Sequence, residues 1–159
     1  MSQIDTTINQ YLTFILDDGH YGLSIDSVQE VLEVMTITKV PRTPEHMLGV
    51  TNVRGQAVPV IDLRLRFGLQ AKEKTVDSCI VIVELTVGGE AMTLGALVDG
   101  VEEVMDLDPG QIEPAPKLGN SIDIRFIKGI AKQDDRFIIL LDINECFDFQ
   151  DMADIQKVV

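Results

Sequence analysis

Apolar residues fall along this chain in short runs broken by glycine, aspartate, asparagine and proline, a pattern that predicts an all-β protein. The runs place strands at Tyr11–Leu16, Tyr21–Ile25, Ala57–Ile61, Ile80–Leu85, Met92–Val98 and Phe137–Leu141. Asp18-Gly19 and Gly88-Gly89 stand between successive runs as hairpin turns, because glycine tolerates positive φ. Pro59 removes a ladder donor, so its strand is expected at a sheet edge or bulged there. Other stretches read as short helices. Ser27 and Glu30 have capping-box spacing, and Val28, Val31, Leu32 and Met35 then form one apolar stripe at i, i+3, i+4 and i+7. In the tail from Phe149 to Val159, the helical spacing of Met152, Ile155 and Val159 predicts a terminal helix.

The order of these signals repeats. Each half runs strand, glycine turn, strand, short helix, long connection, glycine, strand, then an acidic-aliphatic helix start. Ser27-Val28-Gln29-Glu30-Val31 parallels Gly100-Val101-Glu102-Glu103-Val104 at a spacing of 73 residues. Gly49-Val50 parallels Gly129-Ile130 at a spacing of 80, as Val58 to Leu63 parallels Ile138 to Ile143, with Asp62 over Asp142 and Phe67 over Phe147. The second half therefore carries a longer connection, around Pro109 to Asn120. A spacing shared by Gly, Asp and Phe predicts two copies of one small barrel. Their approximate bounds are 10–75 and 76–148, with strand exchange between them left open. Arg54 occupies the turn Asn52-Val53-Arg54-Gly55, whereas Asp134 stands at that place in the second copy. One asymmetric arginine on a duplicated framework fits a binding surface on the first half only, a solvated turn residue, or an internal ion pair.

Composition narrows the function. Apolar residues make up 45 %, enough for a packed core, yet no run approaches the ~20 residues of a membrane helix. The start, MSQIDTTINQ, has neither the basic nor the apolar segment of a secretory signal, so a cytoplasmic location is expected. Cys79 and Cys146 sit in apolar runs without a neighbouring Cys or His at metal-ligand spacing, and read as reduced core thiols. The net charge of −13 makes nucleic acid and anionic membranes poor partners. That charge is uneven: residues 39–74 hold seven Lys or Arg against three Asp or Glu, whereas 75–116 hold nine acids and no Lys or Arg. Two faces of opposite character could pair with each other or steer different partners.

Catalytic chemistry finds little support. His20 and His46 form no metal-binding pair, and Gly88-Gly89 leads from strand to strand rather than into a phosphate-binding helix. Glu102-Glu103 and Asp134-Asp135 are adjacent pairs whose side chains usually point apart. Aromatic content is 5 % with no tryptophan, which gives no stacking platform for single-stranded nucleic acid. Binding is the better reading, with no cofactor and no metal. A duplicated-barrel enzyme or small-ligand-binding protein is the competing one, and it predicts turnover or a ligand-induced thermal shift.

Three segments resemble the CheW family in order and spacing: VPRTPEHMLGVTNVRGQAVPVIDLRLRFGL from Val40 to Leu69, LGALVDGVEEVMDLDPGQIEPAP from Leu94 to Pro116, and FIKGIAKQDDRFIILLDINECF from Phe126 to Phe147. The resemblance spans about residues 10–148. It implies two SH3-like five-stranded β-barrels related by a pseudo-twofold, and a non-enzymatic adaptor that couples methyl-accepting chemoreceptors to a CheA-type histidine kinase. It further implies a receptor groove between the barrels at Val28, Glu30, Val31 and Arg54; for a coupling mechanism Arg54 is then expected to orient the groove, paired with Glu30. The kinase's regulatory domain would dock on the first barrel at Thr38, Val40, Met47, Leu48 and Gly49, and the second barrel would offer another kinase-facing contact. At 159 residues there is room neither for the kinase's other domains nor for a receiver domain. Leu32-Glu33 and Leu48 depart from the family's usual residues and point to a coupler for a particular array, in a swimming or a non-swimming pathway.

Overall fold

A computed structural model describes residues 9–87, 89–115 and 124–146. In chain order the strands are β1 (Asn9–Leu16), β2 (Gly19–Ser24), β3 (Val28–Glu33), β4 (Met47–Val53) and β5 (Gln56–Asp62), then helix α1 (Leu63–Arg66). The second series is β6 (Cys79–Val87), β7 (Glu90–Val98), β8 (Gly100–Leu107), β9 (Ile112–Glu113), β10 (Ile127–Gln133), β11 (Arg136–Leu141) and α2 (Ile143–Cys146). The expected terminal helix over Phe149–Val159, together with Gly88 and Phe147, lies outside the described residues.

All six strands expected from apolar runs are present. The helix over Ser27–Met35 is not. Val28–Glu33 is strand β3, with alternating half-buried and exposed positions. Its apolar residues fit both periods on paper, but antiparallel pairing with β6 runs along the segment, interrupted by one bulge after Val28. Ser24, not Ser27, caps the single 3-10 turn at Ile25–Ser27. The duplicate segment from Gly100 is likewise a strand, β8. Short helices do start at Asp62 and Asp142, whose carboxylates accept from the amides of Arg64 (2.9 Å) and Asn144 (3.1 Å) as N-caps do.

The duplication carries through to topology. One sheet has the order β3-β6-β7-β5-β4, the other β8-β1-β2-β11-β10-β9. Matching each strand to its duplicate shows the same order in both sheets, but each takes its central hairpin from the other half of the chain. Parallel pairs β5–β7 and β2–β11 record that exchange. Pro59 therefore lies on an interior strand, not an edge. β7 pairs only with Val60–Asp62, so the missing donor falls just before that ladder begins.

Each sheet closes on itself. Leaving β3, the chain reaches β4, where Thr38 and Val50 exchange backbone bonds of 2.7 and 2.9 Å and Thr51 Oγ1 donates to Thr36 O at 2.8 Å. In the second sheet β9 pairs with β10 in the same way. One apolar cluster fills each barrel, around Val58, Val60, Ile80 and Ile82 in the first and Tyr11, Leu107, Ile138 and Leu140 in the second. The largest cluster lies between them, around Phe14, Leu16, Ile61, Val81, Val83 and Phe126. Rings of Phe14, Tyr21, Phe67 and Phe126 run through it at centroid separations of 5.9, 6.1 and 5.7 Å.

Both barrels bend at a β-bulge near the start of β3 and of β8. In the second, fully buried Thr13 fills the broken ladder, its Oγ1 donating to Glu103 O (2.9 Å) and accepting from Glu103 N (3.2 Å). Thr13→Val keeps the shape but leaves both backbone groups unmatched, so denaturant unfolding should show a loss of ~1–3 kcal/mol. A loss near zero would mean that the hydroxyl contributes nothing to the bulge.

Candidate functional site

β3 is the edge where the first barrel meets the layer between the barrels. Its bulge places Val28 opposite Val83 and Val31 opposite Val81, and both partners belong to the central cluster. Val28 and Val31 thus share the face that looks toward the second barrel, although three residues separate them. Val28 is half-buried against the central core, and Val31 stays 38 % exposed. Glu30 turns to the other face, beside Ile82.

There Glu30 meets Arg54. The guanidinium holds the carboxylate by two hydrogen bonds, Nη1 to Oε2 and Nη2 to Oε1, the latter 2.6 Å. Arg54 occupies the left-handed region at φ +52, in a two-residue turn between Val53 and Gln56, and Asn52 Oδ1 steadies the turn by accepting from Gly55 N at 2.7 Å. The pair joins strands at opposite ends of the sheet order, so it clamps the closed barrel. Its arginine nevertheless remains 72 % exposed.

The hydrogen bonds from Arg54 hold the Glu30 carboxyl below its ordinary value of 4.5, outweighing a small desolvation effect. A carboxyl lowered on folding adds stability that is present above its unfolded value and is lost as pH falls through the folded value. Carbon-detected NMR should find Glu30 titrating below ordinary glutamates, and at the ordinary value in Arg54→Gln. An unchanged midpoint in the variant would assign the shift to another group.

The other expected residues separate into surface and support. Thr38 is exposed, and Val40 and Leu48 are half-buried. Met47 is 4 % exposed within the central core, and Gly49 is buried against Thr38. The connection from Lys39 to Met47 lines a depression of about 550 Å³ beside them.

The duplicate positions add residues that sequence reasoning passed over. Val104 lies 73 residues beyond Val31, on the same face of the equivalent strand, and is 47 % exposed. Asp134 reproduces the left-handed turn of Arg54 at φ +53 without its charge. In the second barrel Arg136 acts instead, reaching Glu102 at 3.2 Å, while His20 Nδ1 lies 2.9 Å from the same carboxylate. Desolvation pushes Glu102 up, but His20 and Arg136 outweigh it and leave the carboxyl below its ordinary value. Exposed Phe137 stands beside this cluster, on a groove of about 740 Å³.

Among the described residues no group of three or more His, Cys, Asp or Glu could hold a metal ion, and no helix is long and apolar enough to cross a membrane. Burial pushes the Cys146 thiol up to about 12 and also raises Cys79, so neither is a ready nucleophile. Two β-barrels that expose Val31, Val104 and an anchored Arg54 define a surface suited to binding.

Comparison with known proteins agrees. The CheW-like domain matches residues 10–150. The chain is 34 % identical over 154 residues to the chemotaxis protein CheW of Klebsiella aerogenes, covering 97 % of this chain and 90 % of that protein. It is 32 % identical to CheW of Helicobacter pylori, covering 86 % and 79 %. The crystal structure of the scaffolding protein TtCheW from Thermoanaerobacter tengcongensis superposes with a TM-score of 0.79 at 40 % identity, over 90 % of this chain and 94 % of that one. The chain belongs to the CheW family of chemotaxis coupling and scaffolding proteins.

Proposed function

We propose that this chain couples methyl-accepting chemoreceptors to a CheA-type histidine kinase, working in the cytoplasm on membrane-associated receptor arrays. The receptor's helical tip binds at the β3 edge, where Val28 and Val31 give apolar contact and Arg54 gives a fixed cation. Thr38, Val40 and Leu48 present the kinase-facing surface of the first barrel, with Met47 and Gly49 supporting it from beneath. The two-barrel module over about residues 10–148 acts as one unit, and neither step needs a cofactor.

The observation that carries this reading is the exposed Arg54 held in a two-point grip by Glu30, with exposed Val31 on the opposite face of the same edge strand. A solvated turn arginine has no need of such a grip, whereas a docking cation gains from being pre-oriented. Polar and apolar contacts offered by one edge strand suit an assembly whose parts exchange.

Val31→Asp tests the division of surfaces. Receptor-tip binding should fall by about tenfold or more, the usual scale for an apolar anchor, while kinase regulatory-domain binding stays within about twofold. Equal losses on both sides would contradict the assignment of β3 to the receptor.

A further inference from the structure

Arg64 is the most deeply placed basic residue among the described ones, with 8 % of its side chain exposed. It stands on α1, directly after β5 of the first barrel. Its Nη1 reaches Asp17 Oδ1 at 2.6 Å and Asp99 Oδ2 at 2.7 Å, and its Nε donates to Gln70 O at 2.9 Å. Asp99 Oδ2 also accepts from Asp17 N at 2.7 Å, and Asp99 N donates to Ile15 O at 3.0 Å. Asp17 lies in the β1–β2 turn of the second barrel, in the left-handed region at φ +55. Asp99 is the single residue by which the chain passes from β7 in the first barrel to β8 in the second. One buried guanidinium therefore ties together a helix of one barrel, a turn of the other and the crossing between them.

The duplicate place is built differently. Asn144 stands 80 residues beyond Arg64, and its Oδ1 accepts one bond, from Thr86 N at 3.3 Å. Asp26, 73 residues before Asp99, is exposed, and its amide bonds the Ser24 hydroxyl at 3.4 Å. Symmetry of the fold does not require the ionic cluster, so the asymmetry calls for its own reason. Stability is a poor one, because a buried ion cluster gains little over apolar residues of the same volume. Geometry is a better one. The central apolar layer favours contact between the barrels, but apolar packing loses uniqueness before it loses stability. Arg66 also spans the two halves, with Nε donating to Cys146 O at 2.8 Å and its guanidinium over the Phe126 ring at 4.7 Å. Arg64 adds three acceptors around one planar guanidinium, which fix direction as well as distance.

We infer that Arg64, held by Asp17, Asp99 and the Gln70 carbonyl, is a positioning residue that fixes the angle between the two barrels. Its signalling consequence rests on the coupler reading: displacement of the first barrel by a receptor would pass to the second as a rigid rotation. The orientation itself is a property of the free chain and does not depend on that reading.

Residual dipolar couplings of backbone amides in the full-length chain test it without any partner. In the wild type, one alignment tensor should fit both barrels in the geometry described above. In Arg64→Lys and Asp17→Asn, each barrel should still fit its own couplings, but the joint fit should be lost. Asp17→Asn preserves shape and leaves the Asp17 amide bond in place, so it decides the matter if Arg64→Lys does not fold. Retention of the wild-type joint fit in folded Asp17→Asn and Arg64→Lys, or in Asp17→Asn alone if the other variant is unfolded, would overturn the inference. Failure of receptor or kinase binding would leave it untouched.

Discussion

Gly49→Ala will keep the first barrel from closing, and the variant will be unfolded or nearly so at room temperature. A Cβ at this position would lie 2.1 Å from Thr38 O, 2.7 Å from Thr38 C and 3.0 Å from Ile37 Cγ2. The first two are backbone atoms, and they are held there by the paired bonds between Thr38 and Val50 that shut the barrel. Relief requires breaking those bonds, and the residue's φ of +147 adds strain that alanine does not tolerate. A cost above ~4 kcal/mol is expected, a large part of the ~5–15 kcal/mol that stabilises a typical domain. Two controls calibrate this. Gly129 fills the same role in the second barrel, but there a Cβ meets first the side chain of Ile112 at 2.7 Å and then Glu113 O at 3.1 Å, so Gly129→Ala should cost less. Gly55 has φ +87 with nothing within 4 Å, so Gly55→Ala should cost only its backbone strain, ~1 kcal/mol. Denaturant midpoints should rank the losses Gly49, Gly129, Gly55. A folded Gly49→Ala with a near-wild-type midpoint would refute the closure argument.

Arg54→Glu should abolish receptor coupling while the protein still folds cooperatively. The arginine is mostly solvent-exposed, so its loss removes little of the fold's stability. Its replacement sets two carboxylates against each other at the clamp and inverts the charge offered to the partner. Binding of a receptor tip should weaken by about tenfold or more, with kinase binding unchanged. The double exchange, Glu30→Arg with Arg54→Glu, separates two explanations. It restores the ion pair but places the cation on β3. If the clamp matters only by closing the barrel, the double variant recovers receptor binding. If Arg54 itself meets the partner, as proposed, the double variant remains defective. Recovery would move Arg54 from the interface into the framework.

Much of this was legible in the chain. Short apolar runs and turn residues marked the strands, because strands buried on both faces read as continuous apolar runs and tight turns need glycine or aspartate. The 80-residue spacing of Gly49 and Gly129 survives as two glycines pressed against the segments that close the barrels. The pairing of Arg54 with Glu30, expected of a coupler whose groove Arg54 orients, appears as a two-point hydrogen-bonded grip. The stretch from Ser27 to Met35 misled, since Val28, Val31, Leu32 and Met35 satisfy a helical stripe. A bulge then puts Val28 and Val31 on one face of a strand, which no fixed period anticipates. The hairpin exchange depends on contacts far apart in sequence, and local pattern carries no record of them. The resemblance assigned Met47 to the kinase-facing surface, yet it is sealed in the central core. Val104 could have been found by applying the 73-residue spacing to Val31. Arg136 could not, because its charge sits two residues past the position equivalent to Arg54.

The most direct measurement is kinase autophosphorylation in a reconstituted mixture of receptor fragments and kinase from the same organism, with and without this chain. The account predicts that receptor control of kinase activity appears only when the chain is added, saturates with it, and is lost with Arg54→Glu. Kinase activity that responds to the receptor equally well without the chain, or ignores the receptor even with it in excess, would contradict the coupling role.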